Sequence, residues 1–264
     1  MIVGGGPQPT ALVRQFADLA GARAGHAKIV VLAMASEDGA KSGEEKATDL
    51  RTLGADARNV WLTREQANTD SAARLLDGAT GIWLGGGDQN RLIKVLRGTK
   101  TETALRERYV AGAVVGGTSA GAAAMSQLMI TGDERRPGGA RRDTSSAYLT
   151  IARDNIVVDT GFALIRDAIV DQHFLRRKRH NRLISAVLER SPHLGVGIDE
   201  STALVVHPDG HWSVAGASVV VIYDARAARI TSATSDVLGA AEIRMHVLPA
   251  GSRFYPANGR VELP

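Results

Sequence analysis

The chain has no cysteine among its 264 residues. Disulfides, thiolate metal sites and a cysteine nucleophile are therefore excluded. Aromatic residues make up only 4%, which argues against a surface that stacks nucleic-acid bases. No apolar run approaches the length of a membrane span. The opening residues, Met1-Ile2-Val3-Gly4-Gly5-Gly6, carry neither a basic n-region nor an apolar h-region. No secretory signal is visible, and a cytoplasmic location is expected, although a strand beginning at residue 2 is an abrupt start. No HExxH occurs, and Asp171-Gln172-His173 has no second histidine at ligand spacing, so no metal is expected. The opening glycines lack the context of a dinucleotide-binding turn, and no GxxxxGK[ST] is present. Nucleotide binding has little support, and no cofactor is expected.

What is present suits a globular protein with a sizeable core. Hydrophobic residues make up 44% and charged residues 23%, ordinary values for that class. The net charge is +4, and the excess is clustered. Arg135, Arg136, Arg141 and Arg142 form one group; Arg176, Arg177, Lys178, Arg179 and Arg182 form another. Such a balance admits nucleic acid or an anionic small substrate.

The first half alternates apolar strands with helical periodicity. Strands are expected at 2–5, 28–34, 59–62, 81–84 and 113–115, with helices at 9–19, 44–53, 71–76, 90–96 and 103–110. Continuous apolar strands between helices predict a parallel sheet covered on both faces, with ligands at the carboxyl ends of its strands. Gly85 to Asp88 and Gly117 to Ser119 occupy such ends. The polar, Arg-rich stretch from Gly132 to Ser146 reads as an exposed, mobile loop. Further elements are expected at 168–174, 181–188 and 194–199. Beyond Thr202, short strands and the turn Pro208-Asp209-Gly210 predict an antiparallel extension. No linker separates the parts, so residues 1–264 read as one α/β domain, with a parallel core to 202 and the extension over 203–264.

Gly117-Thr118-Ser119-Ala120-Gly121 is a Gly-x-Ser-x-Gly pattern between an apolar strand and an alanine-rich helix. That is the setting of a nucleophile elbow. The N–H of Ala120, at a helix start, would face an oxyanion. A serine nucleophile needs an imidazole base oriented by a carboxylate. His173, ending the apolar strand before the arginine cluster, is the candidate base. Gly197-Ile198-Asp199-Glu200 supplies acids, and strand alternation lets only one of Asp199 and Glu200 face it.

Three blocks together resemble the cyanophycinase branch of the S51 serine peptidases. They are Gly85-Gly86-Gly87-Asp88-Gln89, Gly117 to Ala122, and Asp171-Gln172-His173-Phe174 followed by Arg177, Arg179 and Arg182. The Gly197 to Glu200 block adds a fourth, so the similarity spans nearly the whole chain in order. It implies a three-layer, parallel-sheet α/β sandwich of the class I glutamine amidotransferase-like (flavodoxin-like) kind, with the antiparallel β extension at the C-terminus. It implies Ser119 as nucleophile, His173 as base and Glu200 as orienting acid, with Glu134 or Asp133 as alternatives for the third. The oxyanion would meet the N–H groups of Ala120, Gly87 and Asp88. The implied substrate is cyanophycin, a polyaspartate bearing arginine on its side-chain carboxylates, cut to β-Asp-Arg dipeptides. Gln89, Asp171, Gln172, Arg177, Arg179 and Arg182 would bind it, with Asp88 also facing a guanidinium; Arg176 and Lys178 would be solvated. A homodimer is implied; neither nucleic acid nor membrane is an expected partner. The alternatives are an α-aspartyl or isoaspartyl dipeptidase of the same family, and a non-catalytic binding module with a basic site.

Overall fold

A computed structural model describes residues 1–135, 141–143, 150–235 and 237–264, for 141–143 the backbone alone. The chain divides into two compact units, residues 1–2 with 8–124 and residues 3–7 with 125–264.

Along the first stretch run β1 (Ile2–Val3), α1 (Thr10–Leu19), β2 (Lys28–Leu32), α2 (Gly39–Thr52), β3 (Asp56–Val60), α3 (Arg64–Ala67) and α4 (Asp70–Arg74), then β4 (Gly81–Leu84), α5 (Gln89–Leu96), α6 (Lys100–Val110), β5 (Val114–Thr118) and α7 (Ala120–Ala124). Strands β5-β4-β2-β3 lie in that order, all parallel. Beside β5 runs the chain start, where the Met1 amine donates to Val115 O at 2.8 Å and Gly117 N to Met1 O at 3.1 Å. The strand cores Ile29 to Leu32 and Ile82 to Leu84 are buried throughout, as central parallel strands flanked by helices must be. Helices begin where a short polar side chain can accept an orphan N–H. Asp38 accepts from Lys41 N, Thr99 from Glu102 N, and Thr63 with Gln66 closes a capping box. Helix α5 buries Leu92, Ile93 and Leu96 on one face. Phe16 of α1 meets Trp83 edge-on, ring centroids 4.9 Å apart. Both Gly85 and Ser119 follow directly on the C-terminal ends of parallel strands.

The second stretch comprises β6 (Leu128–Arg135), β7 (Arg141–Asp143), β8 (Ile156–Thr160), β9 (Ile169–Gln172), α8 (His180–Glu189), β10 (Leu194–Ile198), β11 (Thr202–Val206), β12 (Trp212–Gly216) and β13 (Val219–Asp224). It ends with β14 (Arg229–Ile230), β15 (Ala240–Ala241), β16 (Arg244–Pro249), β17 (Arg253–Tyr255) and β18 (Arg260–Glu262). Strands β9 and β10, expected in the parallel core, pair in parallel with each other and continue as the mixed sheet β16-β13-β10-β9. Helix α8 packs its apolar face (Leu183, Ala186, Val187) into one core with Ile169, Phe174, Val221 and Tyr223. Beyond residue 202, β11 pairs antiparallel with β12 around the expected turn, and β12 with β17, β13 with β16, β14 with β15 and β17 with β18 are antiparallel too.

The loop expected from Gly132 to Ser146 is corrected in part. Residues to Arg135 continue strand β6, and β7 returns on it with Asp133 opposite Asp143. A register shift between Ile130 and Glu134 lets the ladder with β8 absorb the extra residues, as a β-bulge does. Pairing with two neighbours outweighs the polar composition that suggested a loop. Residues 136–140, with Arg136 and Pro137-Gly138-Gly139, and residues 144–149 lie outside the described residues. Among the described residues no helix is long and apolar enough to cross a membrane.

Candidate active site

Ser119 sits at the junction of β5 and α7 with φ 52°, a left-handed conformation that a non-glycine residue adopts at a cost of about 1–3 kcal/mol. Close packing of the turn enforces it. At Gly121 a Cβ would lie 2.2 Å from Leu84 O, so α7 approaches β4 only because that side chain is missing. Residue 119 is half-buried. The N–H groups opening α7 have no partner within the helix, and Ala120 supplies the first of them. Gly86 comes up against the serine, its missing Cβ 3.6 Å from Ser119 Cβ. Gly87 has φ +135°, and its amide makes no hydrogen bond among the described residues. Asp88 differs from expectation. Its N–H donates to Ala35 O at 2.9 Å and its carboxylate caps α5 through Asn90 N at 2.8 Å. The N–H is therefore engaged in the turn, while the exposed carboxylate caps the helix through one oxygen. Gln89 opens α5 and is buried.

In the second unit the structure brings His173 and Glu200 together. His173 Nδ1 lies 2.6 Å from Glu200 Oε1. Neighbouring Asp199 points elsewhere, its Oδ1 accepting from Leu175 N at 3.1 Å and Arg176 N at 3.0 Å and its Oδ2 from Ser218 Oγ at 2.9 Å. Asp133 and Glu134, the alternative orienting acids, stand on β6 opposite β7. A feature the sequence reading missed holds the pair. Residues Gly4 to Pro7 bind both partners' backbones: His173 N donates to Gly4 O at 2.6 Å, Ser201 N to Gly5 O at 2.9 Å, and Ser201 Oγ to Pro7 O at 2.6 Å. At Gly5 a Cβ would lie 2.4 Å from His173 Nε2. Only a glycine lets the backbone approach the imidazole this closely. The signal was present in the opening glycine run, but its partners come much later in the chain. Burial, the largest influence, lowers the His173 pKa from its ordinary 6.5; the Glu200 hydrogen bond opposes it, and Arg177 and Arg179 lower it further. Glu200 is placed to accept a proton carried on Nδ1.

The arginine block is partly buried. Asp171 and Arg182 are each 1% exposed, joined by Arg182 Nε to Asp171 Oδ2 at 2.6 Å and by Nη2 to Oδ1. Arg179 is buried beside them, donating to Gln172 O at 2.7 Å. These charges hold the first turn of α8 to β9. Of the three arginines expected at the substrate, Arg177 alone is half-exposed; Arg176 and Lys178 are solvated. Gln172 is buried, with Oε1 lacking a hydrogen-bond partner among the described residues. Removing one member of a buried ion pair leaves the other uncompensated, at about 3–5 kcal/mol. Asp171→Ala should therefore lower stability by about that much, read as a reduced midpoint in urea unfolding. An unchanged midpoint would show that the pair contributes no net stability.

Residues 2–212 match the model of Peptidase family S51. Over 253 residues the chain is 35% identical to the cyanophycinase of Trichormus variabilis, an alignment covering 92% of this chain and 80% of that protein. The cyanophycinase of Geminocystis herdmanii is 33% identical over 233 residues, covering 86% and 81%. Among solved structures, a peptidase from an acI-B1 Actinobacterium gives a TM-score of 0.67 at 20% identity, over 96% of this chain and 94% of that one. A putative peptidase E protein from Listeria monocytogenes EGD-e gives 0.53 at 17% identity, over 79% and 93%. These two structures bear on the fold, and they agree with the α/β architecture.

Proposed function

The chain belongs to peptidase family S51, and from that premise we propose that it hydrolyses cyanophycin to β-Asp-Arg dipeptides, with Ser119, His173 and Glu200 as its catalytic residues. Ser119 Oγ attacks the aspartyl backbone carbonyl while His173 Nε2 takes the hydroxyl proton. Glu200 holds Nδ1–H and stabilises the imidazolium that forms. The negative charge on the carbonyl oxygen meets the N–H groups of Ala120 and Gly87. The C–N bond then breaks, His173 passes its proton to the leaving amine, and an acyl ester remains on Ser119. Water, deprotonated by His173, cleaves that ester and restores the hydroxyl. Gln89, Asp171, Gln172, Arg177, Arg179 and Arg182 remain the candidate substrate contacts.

The observation that carries this reading is the 2.6 Å His173–Glu200 pair. Similarity to cyanophycinases over most of the chain supports the substrate. Incubation with cyanophycin, with products read by mass, tests it. Release of β-Asp-Arg is the expected result. Cleavage of Asp-X dipeptides with no attack on cyanophycin would assign an aspartyl dipeptidase activity instead. Binding that weakens steeply with salt, without any hydrolysis, would assign a binding module.

A further inference from the structure

We propose that a pocket in the first unit, beside the nucleophile turn and headed by Lys46, binds a carboxylate of the substrate. The inference rests on the cyanophycin reading above and adds a specificity-determining residue to it. The pocket has a volume of about 240 Å³ and is lined among others by Gln8, Ser42, Lys46, Trp83, Gly86 and Thr118. Two of these tie it to the site. Thr118 precedes Ser119, and Gly86 is the residue whose missing Cβ faces both Thr118 and Ser119 at 3.6 Å.

Its chemistry suits an anion. Lys46 comes from α2 with its side chain only 15% exposed. Its Nζ donates to Gln8 Oε1 at 2.9 Å and lies 5.5 Å from the centre of the buried Trp83 ring. The acid near it, Asp49, is 3.3 Å away but 60% exposed, so solvent screens that pair. No acid lines the pocket. Burial outweighs Asp49 and lowers the Lys46 pKa, the mark of an ammonium short of compensation. Thr118 is 8% exposed, and its Oγ1 is buried without a hydrogen-bond partner among the described residues. An entering carboxylate would accept from Lys46 Nζ and from Thr118 Oγ1 and would satisfy both. The polymer supplies such a group, because every unit of it carries an arginyl carboxylate.

The test uses full-length wild type, Lys46→Met and Lys46→Arg on an oligomer of three β-Asp-Arg units and on the same oligomer ending each unit in argininamide. A charge-assisted contact made equally before and during reaction raises KM and leaves kcat unchanged. Lys46→Met should raise KM on the carboxylate oligomer about 10- to 100-fold. Wild type should suffer a similar loss on the amide oligomer, and Lys46→Met no further loss there. Lys46→Arg, keeping the charge, should recover most of the affinity. Calorimetric binding of β-Asp-Arg and its two singly amidated forms reads the same contact without turnover. It also shows whether the arginyl or the aspartyl carboxylate is held. Equal losses by Lys46→Met on acid and amide ligands, or none on either, overturn the proposal; unequal melting temperatures would expose misfolding as the cause. A wild type that cleaves neither oligomer refutes the cyanophycin reading, while the calorimetry still decides the carboxylate contact.

Discussion

Ser119→Ala should lose at least about 10⁴-fold in kcat on cyanophycin, because a triad acts as a unit and its remainder stabilises only the oxyanion and the bound substrate. The variant should fold, since alanine fits wherever serine fits in the turn. It should gain no stability, because alanine pays the same penalty at φ 52°. Ser119→Gly is the informative companion. Glycine adopts that conformation without strain, so this variant should be as inactive but more stable, by roughly 1 kcal/mol. Single-turnover kinetics and urea unfolding read the two effects separately. Dipeptide release by Ser119→Ala at the wild-type rate would remove Ser119 from the mechanism.

Glu200→Gln should cost about 10³- to 10⁴-fold in kcat, because the amide can present its N–H₂ to Nδ1 and trap the imidazole in the unproductive tautomer. The pH profile adds a signature that misfolding would not give. A base works only when deprotonated, so kcat/KM falls as pH drops through its pKa. Burial and the nearby arginines place His173 below its ordinary value of 6.5, against the opposing pull of Glu200. The wild-type acid limb should therefore lie below that value. In Glu200→Gln the opposing pull is gone, and the limb should move to still lower pH. A limb that stays in place, or moves upward, would mean that Glu200 does not face the titrating base.

The elbow was legible because all its causes are local: an apolar strand, two small residues at the turn, and an alanine-rich helix within a dozen positions. Strand alternation likewise separated Asp199 from Glu200, but which of them faces His173 depends on the fold of residues 4–7 around position 201. The burial within the arginine cluster was not legible, for the opposite reason. In sequence, Arg179 and Arg182 look like solvated or ligand-facing cations. Their burial follows from Asp171 projecting from β9 onto the first turn of α8, a contact between elements that composition does not encode. Strand β6 failed by the same logic, since its polar residues are held by neighbours on both sides rather than by their own propensity. Lys46 was passed over as one cation on a polar helix face.

The segment Gly4 to Pro7 has a consequence for how the enzyme matures. It is synthesised well before the groups it bonds, which belong to residues 173, 201 and 202, one of them 194 positions downstream. Until the ribosome has released that region, the imidazole and its carboxylate lack the scaffold that aligns them. The nascent chain thus carries a complete serine turn long before it carries a working base, and proteolytic competence arrives only late in translation.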